Sequence, residues 1–411
     1  MSVLKSAAIV TIGSELTAGL RVDTNTAEIA RDLQHYGFRV AESVSLGDEI
    51  TQLASALRRL TAEHSLVVAT GGLGPTHDDV TRDAVAEALG VGLIRDARLT
   101  AFLEPFLARH SDPGAAEQVL TQALVLAGAE VLLPTTGTAA GQVIGTPAGV
   151  LVLLPGPPRE MRPMLASWLT RFPTVRSSPV DLGVTGLPES DVQLAAQRAL
   201  ADLPGIGLTV LARPGDVRVL LLDEGAGDLG LASAGQAVAL EIGEACYSTT
   251  GETLAEAVVG AARKTGVTIA VAESCTGGMV CAALTDVAGA SSVLLGGVVA
   301  YGNAAKIDLL RVPSGLLAHY GAVSEQIACA MAEGALERLG VDIAVSTTGV
   351  AGPTGGTPEK PIGLVWLAVA TAHGSVATSR QMSGADRHIV RSRATAVALD
   401  LIRREILRVQ P

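Results

Sequence analysis

A chain of 411 residues is too long for one ordinary core and predicts two or three domains, and with 48% of them hydrophobic, burial is not limiting. Only 2% are aromatic, so the cores must be built from Ala, Val, Leu and Ile, and the abundant Gly and Ala suit tightly packed α/β layers. A net charge of −11 argues against nucleic acid or an anionic membrane as a partner.

Along the first 170 residues, apolar runs alternate with helical patterns. Ala7–Ile12 reads as a strand, Asn25–His35 as a helix and Phe38–Leu46 as a strand. Glu49–Glu63 reads as a helix, Leu66–Thr70 as a strand and Asp79–Leu89 as a helix. Strands alternating with helices predict βαβ units and a mostly parallel sheet. Gly13, Gly47-Asp48 and Gly71-Gly72 fall just after strand ends, where an open α/β sheet places its ligand crevice. Gly149–Leu154 reads as a later strand, and a helix resumes over Arg159–Arg171.

Near Phe172-Pro173 the pattern changes. Residues 173–250 read as a small α+β module: a strand, helix Glu189–Leu200, strands Gly207–Ala212 and Val217–Leu222, then helix Leu229–Ala245. Its acidic residues outnumber its arginines and it has no lysine, which disfavours direct contact with a nucleic-acid backbone. It reads as a spacer or dimerisation element.

A third domain is expected over 251–411. Helix Leu254–Lys264 precedes strand Val267–Ala272, a helix follows Gly277-Gly278, and Ser292–Ala300 is a strand. Ser324–Leu339 is a helix; Ile343–Thr348, Gly363–Thr371 and Ser375–Met382 are strands; Arg387–Arg408 is a long closing helix.

The four cysteines form no C-x-x-C pair and have no His/Cys ligand spacing, which argues against a structural zinc. Few cysteines in a long chain fit a reducing cytoplasm, the expected location. The N-terminal apolar stretch is too short for a signal peptide, and no run of about 18 apolar residues predicts a membrane span.

Three glycine-flanked stretches of the C-terminal domain read as one active site. Ser274 lies at a strand-to-helix turn in Ala272-Glu273-Ser274-Cys275-Thr276-Gly277-Gly278, and Tyr301 and Lys306 share Tyr301-Gly302-Asn303-Ala304-Ala305-Lys306. A glycine-rich loop spans Gly349 to Gly356. A serine needs a base, and a partly desolvated lysine has a depressed pKa and can accept a proton. The chain has four lysines, Lys5, Lys264, Lys306 and Lys360, so a lysine here points to proton chemistry. Cys275 is the rival nucleophile. The turn offers backbone N–H groups and the positive end of a helix dipole. Amides around Thr276, Gly277 and Gly278, or from Gly349 to Gly352, are the expected oxyanion donors. Arg387 is the expected charge for a phosphate or for orienting substrate.

AESCTGG, GASS at 289–292, YGNAAK, GAVSE at 321–325, TTGVAGPTGGTPEKPIG and GADRHIVR at 384–391 together resemble the CinA C-terminal domain family, the nicotinamide-nucleotide amidases. The resemblance implies deamidation of nicotinamide mononucleotide to nicotinate mononucleotide and ammonia, without a cofactor. It makes Ser274 the nucleophile and Lys306 its base, with Tyr301 assisting. One departure is Gly302, where many relatives have serine.

In the N-terminal domain, Thr70-Gly71-Gly72-Leu73-Gly74-Pro75-Thr76-His77-Asp78-Asp79-Val80-Thr81 is a glycine turn followed by paired carboxylates. Gly71, Gly72 and Gly74 would let backbone amides approach a phosphate, and Asp78 and Asp79 would hold a hard divalent cation. His77 is a weaker candidate ligand, and the plainer reading of the carboxylates is an acidic N-cap. With Gly13-Ser14-Glu15-Leu16, Asp23-Thr24-Asn25, Gly47-Asp48 and LPGPPREM at 154–161, residues 1–172 resemble the MoaB/MogA-like, molybdopterin-binding fold in its CinA form. GTAAG at 137–141 departs from the usual GTAPG. The resemblance implies metal-dependent ADP-ribose pyrophosphate hydrolysis, with Asp23 and Asp48 among the binding groups. It also implies a homodimer or higher homo-oligomer.

The leading expectation is a bifunctional hydrolase of pyridine-nucleotide salvage. The alternative is a nucleotide- or molybdopterin-binding regulatory protein, associated with competence or DNA damage, without N-terminal turnover. The Ser274/Tyr301/Lys306 set separates the two, because a pure binder needs no serine–lysine pair. A third reading, adenylyl transfer to molybdopterin, requires an ATP site that the sequence does not display.

Overall fold

The alternation of apolar residues along Lys5–Ile12 decides the architecture of the first part of the chain. Ala7 and Ile9 point to one face of the sheet and pack with Ile29, Leu33, Met161 and Leu165. Ala8, Val10 and Ile12 point to the other and pack with Leu53, Leu57, Leu60, Ala84 and Val85. A strand apolar on both faces must be covered on both, which gives helix–sheet–helix layers. The computed structural model describes residues 5–107, 112–174, 179–382 and 386–409. The chain divides into two compact units, Met1–Ser178 and Pro179–Pro411.

In the first unit the sheet runs in the order Phe38–Leu46, Lys5–Ile12, Leu66–Thr70, Val150–Leu154, Gly141–Gly145, Glu130–Leu132. The first four strands are parallel, and the last two join antiparallel. Helices Asn25–His35 and Pro158–Leu169 cover one face, Ile50–Glu63 and Thr81–Leu89 the other. The antiparallel pair belongs to a stretch between Leu89 and Gly149 in which the sequence pattern shows no elements. That stretch also holds the paired strands Leu93–Arg95 and Leu124–Leu126 and the helices Ala97–Leu107 and Pro113–Thr121. Leu99, Leu103, Val119 and Val125 give it a small core of its own.

The second unit contains two sheets. The four-stranded one runs Ile206–Arg213, Asp216–Asp223, Val180–Val184, Cys246–Ser248, antiparallel throughout. Helices Glu189–Leu200 and Gly227–Ile242 supply Val192, Ala196, Leu231 and Val238 to its core. This is the α+β module of the sequence pattern, with its own apolar centre.

The five-stranded sheet runs Leu294–Val299, Ile269–Glu273, Ile343–Gly349, Leu364–Thr371, Gly374–Gln381. Its first three strands are parallel and the rest antiparallel. Helix Leu254–Thr265 opens with a full capping box between Thr253 and Glu256. The closing helix Arg387–Val409 buries Val390, Ala394, Ala398, Ile402 and Ile406, one residue every fourth position along a single stripe. Helices Asn303–Leu310, Ser314–Tyr320 and Glu325–Leu339 cover the opposite face. Of the GADRHIVR motif, Gly384 and Ala385 lie outside the described residues. Among the described residues, no helix is long and apolar enough to cross a membrane.

Helix Glu325–Leu339 lies so close to the end of its neighbour that a Cβ on Gly334 would sit 1.9 Å from the Leu310 carbonyl oxygen. Helix propensity alone makes Gly334→Ala stabilising by about 1 kcal/mol. Overpacking opposes it by about 1–3 kcal/mol, and here the neighbour is rigid backbone, so packing wins. Urea unfolding of Gly334→Ala should therefore show a lowered midpoint; a raised one would mean that the two helices separate easily.

Candidate functional site

Two strand ends and one helix start build the C-terminal site. Strand Ile269–Glu273 delivers Ser274, whose own amide bonds the Thr347 carbonyl at 2.9 Å and so ties the turn to the neighbouring strand. Strand Leu294–Val299 delivers the carbonyls of Ala300 and Tyr301, and helix Asn303–Leu310 carries Lys306 back towards them. Lys306 is 1% exposed. Its Nζ lies 2.8 Å from Ala300 O, 3.3 Å from Tyr301 O and 3.0 Å from Ser274 Oγ. Burial holds its pKa below the usual lysine value. A neutral amine has two N–H donors and one lone pair. With both hydrogens spent on the carbonyls, the lone pair faces the Ser274 hydroxyl.

The Ser274 turn is held from two directions that the sequence pattern does not reveal. The buried Glu273 carboxylate accepts from the amides of Gly278, Val280 and Cys281, closing the N-terminus of helix Met279–Thr285. Arg391, on the closing helix, donates to the Thr276 carbonyl at 2.7 and 3.2 Å. The Thr276 hydroxyl pairs with that of Thr347 at 2.7 Å. Gly277 and Gly278 have φ of 59° and 97°, so a side chain at either would be strained. Their amides are already bonded, to Ser274 O and Glu273 respectively, so, contrary to expectation, neither is free to serve an oxyanion. The helix dipole at this turn is met by Glu273.

Arg387 donates to the Tyr301 hydroxyl at 2.7 Å and to the Gly352 carbonyl at 2.8 Å, joining the tyrosine loop to the glycine-rich loop. The Tyr301 ring is exposed, and its backbone carbonyl, not its hydroxyl, is the group bonded to Lys306. Gly349 is confined by the Leu364 carbonyl, 2.7 Å from where a Cβ would lie. Cys275 is buried, and burial pushes its thiol up to about 11.

In the first unit, the carboxyl ends of the parallel strands open onto a cleft of about 380 Å3. Asp23, Asp48, Gly71, Gly72, Gly74, Asp78 and Asp79 all line it, so the structure brings these candidates together. Gly71 and Gly72 are required by close approach: a Cβ would lie 2.1 Å from Ile12 O or 2.2 Å from Thr81 Oγ1. Asp23 bonds the amide and hydroxyl of Thr26, and Asp48 bonds the Ser14 amide at 2.7 Å. Asp79 does not begin the helix, which starts at Thr81; its carboxylate instead accepts from the amide and hydroxyl of Thr76 at 2.8 and 2.6 Å. Hydrogen bonding from Thr76 lowers the Asp78 pKa. His77 is almost fully exposed and is not part of the cleft wall.

The cleft contains groups that sequence reasoning missed. Asn25 spends its Nδ2 on Thr70 Oγ1 and Gly156 O, leaving a buried Oδ1 without a hydrogen-bond partner among the described residues. Gln122 Oε1 is likewise buried and unpaired among the described residues. Glu160 is buried, and desolvation raises its pKa. The donor set is oxygen only, which fits a hard divalent cation. Among the described residues, however, no third His, Cys, Asp or Glu donor converges with Asp78 and Asp79. Such a cation would complete its shell from water and bound phosphate, the usual arrangement for magnesium.

The molecule is thus an α/β protein with a serine–lysine site in one unit and a carboxylate-lined cleft in the other. Residues 251–406 match the family model of the CinA C-terminal domain, and residues 8–175 match a model described as "Probable molybdopterin binding domain". The chain is 38% identical to a CinA-like protein of Koribacter versatilis, over 98% of this chain and 100% of that one. It is 36% identical to a CinA-like protein of Thermotoga maritima, over 98% of each. A crystal structure of the competence/damage inducible protein CihA from Agrobacterium tumefaciens is 41% identical, with a TM-score of 0.36, covering 36% of this chain and 90% of that one. The chain belongs to the CinA-like protein family.

Replacing Glu273 by Gln turns one of the two oxygens that accept from these three amides into a donor facing them. The loss should be about 1.5–3 kcal/mol, the scale of a hydrogen bond to a charged group. Chemical denaturation of Glu273→Gln measures it, and an unchanged midpoint would show that the carboxylate does not hold this turn.

Proposed function

We propose that the protein is a bifunctional hydrolase of pyridine nucleotides, with an amidase in its second unit and a pyrophosphatase in its first. What carries the reading is the buried Lys306 Nζ lying 3.0 Å from Ser274 Oγ. A binding site has no use for a desolvated lysine aimed at a serine, whereas acyl transfer needs that pair.

In the amidase step, Ser274 Oγ attacks the carboxamide carbon of nicotinamide mononucleotide while its proton passes to Lys306 Nζ. The tetrahedral intermediate expels ammonia, which takes that proton from the lysine, and leaves a nicotinate ester on Ser274. Water adds to the ester with Lys306 again as base, releasing nicotinate mononucleotide and restoring the serine. No cofactor enters this balance. Arg387, anchored between Tyr301 and Gly352, supplies a planar cation for the nucleotide phosphate.

The proposed substrate of the first unit is ADP-ribose, cleaved by addition of water at phosphorus to give AMP and ribose 5-phosphate. A divalent cation at Asp78 and Asp79 would supply charge neutralisation and a more acidic water. The chain's own contribution is to hold the ligand: Gly71, Gly72 and Gly74 let backbone approach the phosphates, while Asp23 and Asp48 line the cleft beside them.

Ammonia release from nicotinamide mononucleotide should fall roughly 10^4-fold or more in Ser274→Ala and Lys306→Ala, and persist in Cys275→Ala. No ammonia from folded wild-type protein would remove the amidase reading and leave ligand binding as the function. The neutral lysine is the active form. Its pKa is depressed, so kcat/KM should rise with pH through that value and level off below the ordinary lysine value of 10.5. A profile still climbing at pH 10.5 would contradict the assignment of Lys306 as base. Asp78→Asn should lower AMP release from ADP-ribose at least about tenfold in the presence of magnesium or manganese, while leaving ammonia release unchanged. Equal AMP release in wild type and variant would move the metal elsewhere.

A further inference from the structure

We infer a transition-metal site of the zinc class, formed by Glu42, Glu63 and His64 at the edge of the first unit's sheet. Glu42 lies on the edge strand Phe38–Leu46, Glu63 ends helix Ile50–Glu63, and His64 caps it. One donor atom from each of the three lies within 4.8 Å of the others. The site is separate from the cleft, which none of the three lines.

The observation that points to a ligand is His64 Nε2. The ring is buried, and among the described residues this nitrogen has no hydrogen-bond partner. It faces Glu42 Oε2 at 4.0 Å, too far for a hydrogen bond. The other ring nitrogen is 2.7 Å from Ser6 Oγ. If Nδ1 carries the proton and donates to Ser6, the lone pair of Nε2 is presented to the two carboxylates. A fixed tautomer with its second nitrogen hydrogen-bonded is the way proteins orient a metal-binding histidine.

The charges agree. Two carboxylates are gathered at the C-terminal end of a helix, where the dipole favours a cation. The cation there now is Arg59, which contacts Glu42 at 2.6 and 2.9 Å and Glu63 at 3.1 Å. Arg59 is half exposed, so it can swing into solvent when a smaller, doubly charged ion takes its place. One imidazole and two carboxylates, with water completing the shell, suit zinc and its neighbours better than magnesium, which demands an octahedron of oxygen. A metal here would pin the edge strand to the helix end and satisfy the one unpaired ring nitrogen.

The experiment is a calorimetric titration of the full-length protein with zinc, in wild type, His64→Gln, Glu63→Gln and Arg59→Gln. Wild type should bind a zinc ion that is lost, or weakened at least about tenfold, in His64→Gln and Glu63→Gln. Arg59→Gln should bind it more tightly, because the competing guanidinium is gone. A purely structural ion pair predicts no such gain. Zinc binding that is absent from wild type, or equal in all four proteins, would overturn the site. Glu63 is exposed, so its variant retains the fold and decides the matter even if His64→Gln does not fold.

Discussion

The second unit is organised around a lysine that has been taken out of water. Burying an ammonium ion without a counter-ion costs several kcal/mol, so the side chain is driven towards the neutral amine. Oxygen atoms surround its Nζ. Two backbone carbonyls at the end of strand Leu294–Val299 accept its hydrogens, and among the described residues no carboxylate is hydrogen-bonded to it. The positions of Ser274, of the Ala300–Tyr301 peptide and of helix Asn303–Leu310 are all conditions for one polar atom to be tolerable at that depth. The five-stranded sheet meets them by ending two adjacent parallel strands at the same level.

The cleft of the first unit poses the opposite electrostatic problem. Glu15, Asp23, Asp48, Asp78, Asp79 and Glu160 line it, and Arg21 is the basic side chain among its lining residues. Such a wall repels a polyphosphate unless positive charge arrives with it. Glycine amides reduce that repulsion but cannot reverse it. The carboxylates therefore argue for a ligand that binds together with a cation, and they disfavour a bare anion. Their partial neutralisation is local: Asp23, Asp48 and Asp79 each spend oxygens on nearby backbone amides, which preserves the loop shape before any ligand enters.

Much of this was legible in the chain. Elements with long, regular patterns, such as Asn25–His35, Phe38–Leu46, Leu66–Thr70 and Glu189–Leu200, have the boundaries that the pattern predicts. Ser274, Tyr301 and Lys306 stood out because glycine punctuates the turns around them and lysine is scarce. What stayed hidden was short or long-range. Strands of three residues, such as Leu93–Arg95 and Glu130–Leu132, are too brief to show a period. Arg391 holds the Thr276 carbonyl across 115 positions, a contact made by the fold and announced by nothing local. Glu273 sits inside the motif, yet its carboxylate could not be told from a strand-end charge until its three amide partners were in place. Asp79 looked like a helix cap because the Asp-Asp pair stands where caps stand, but the Thr76 turn claims it first.

In the proposed amidase, the preference for Ser274 over Cys275 rests on the same desolvation that defines Lys306. Removing water disfavours whichever form is charged. For the lysine that form is the protonated one, so its pKa falls. For the thiol it is the deprotonated one, so its pKa rises to about 11 and the nucleophilic thiolate is suppressed. Serine is indifferent to this penalty, because it attacks as a neutral hydroxyl and gives up its proton only as the new bond forms. In a dry site, a neutral nucleophile with a neutral base in contact outperforms an intrinsically better nucleophile that must first ionise. On the proposed amidase reading, adjacent residues in one environment would thereby be sorted into a reactive group and an inert one, with no histidine needed.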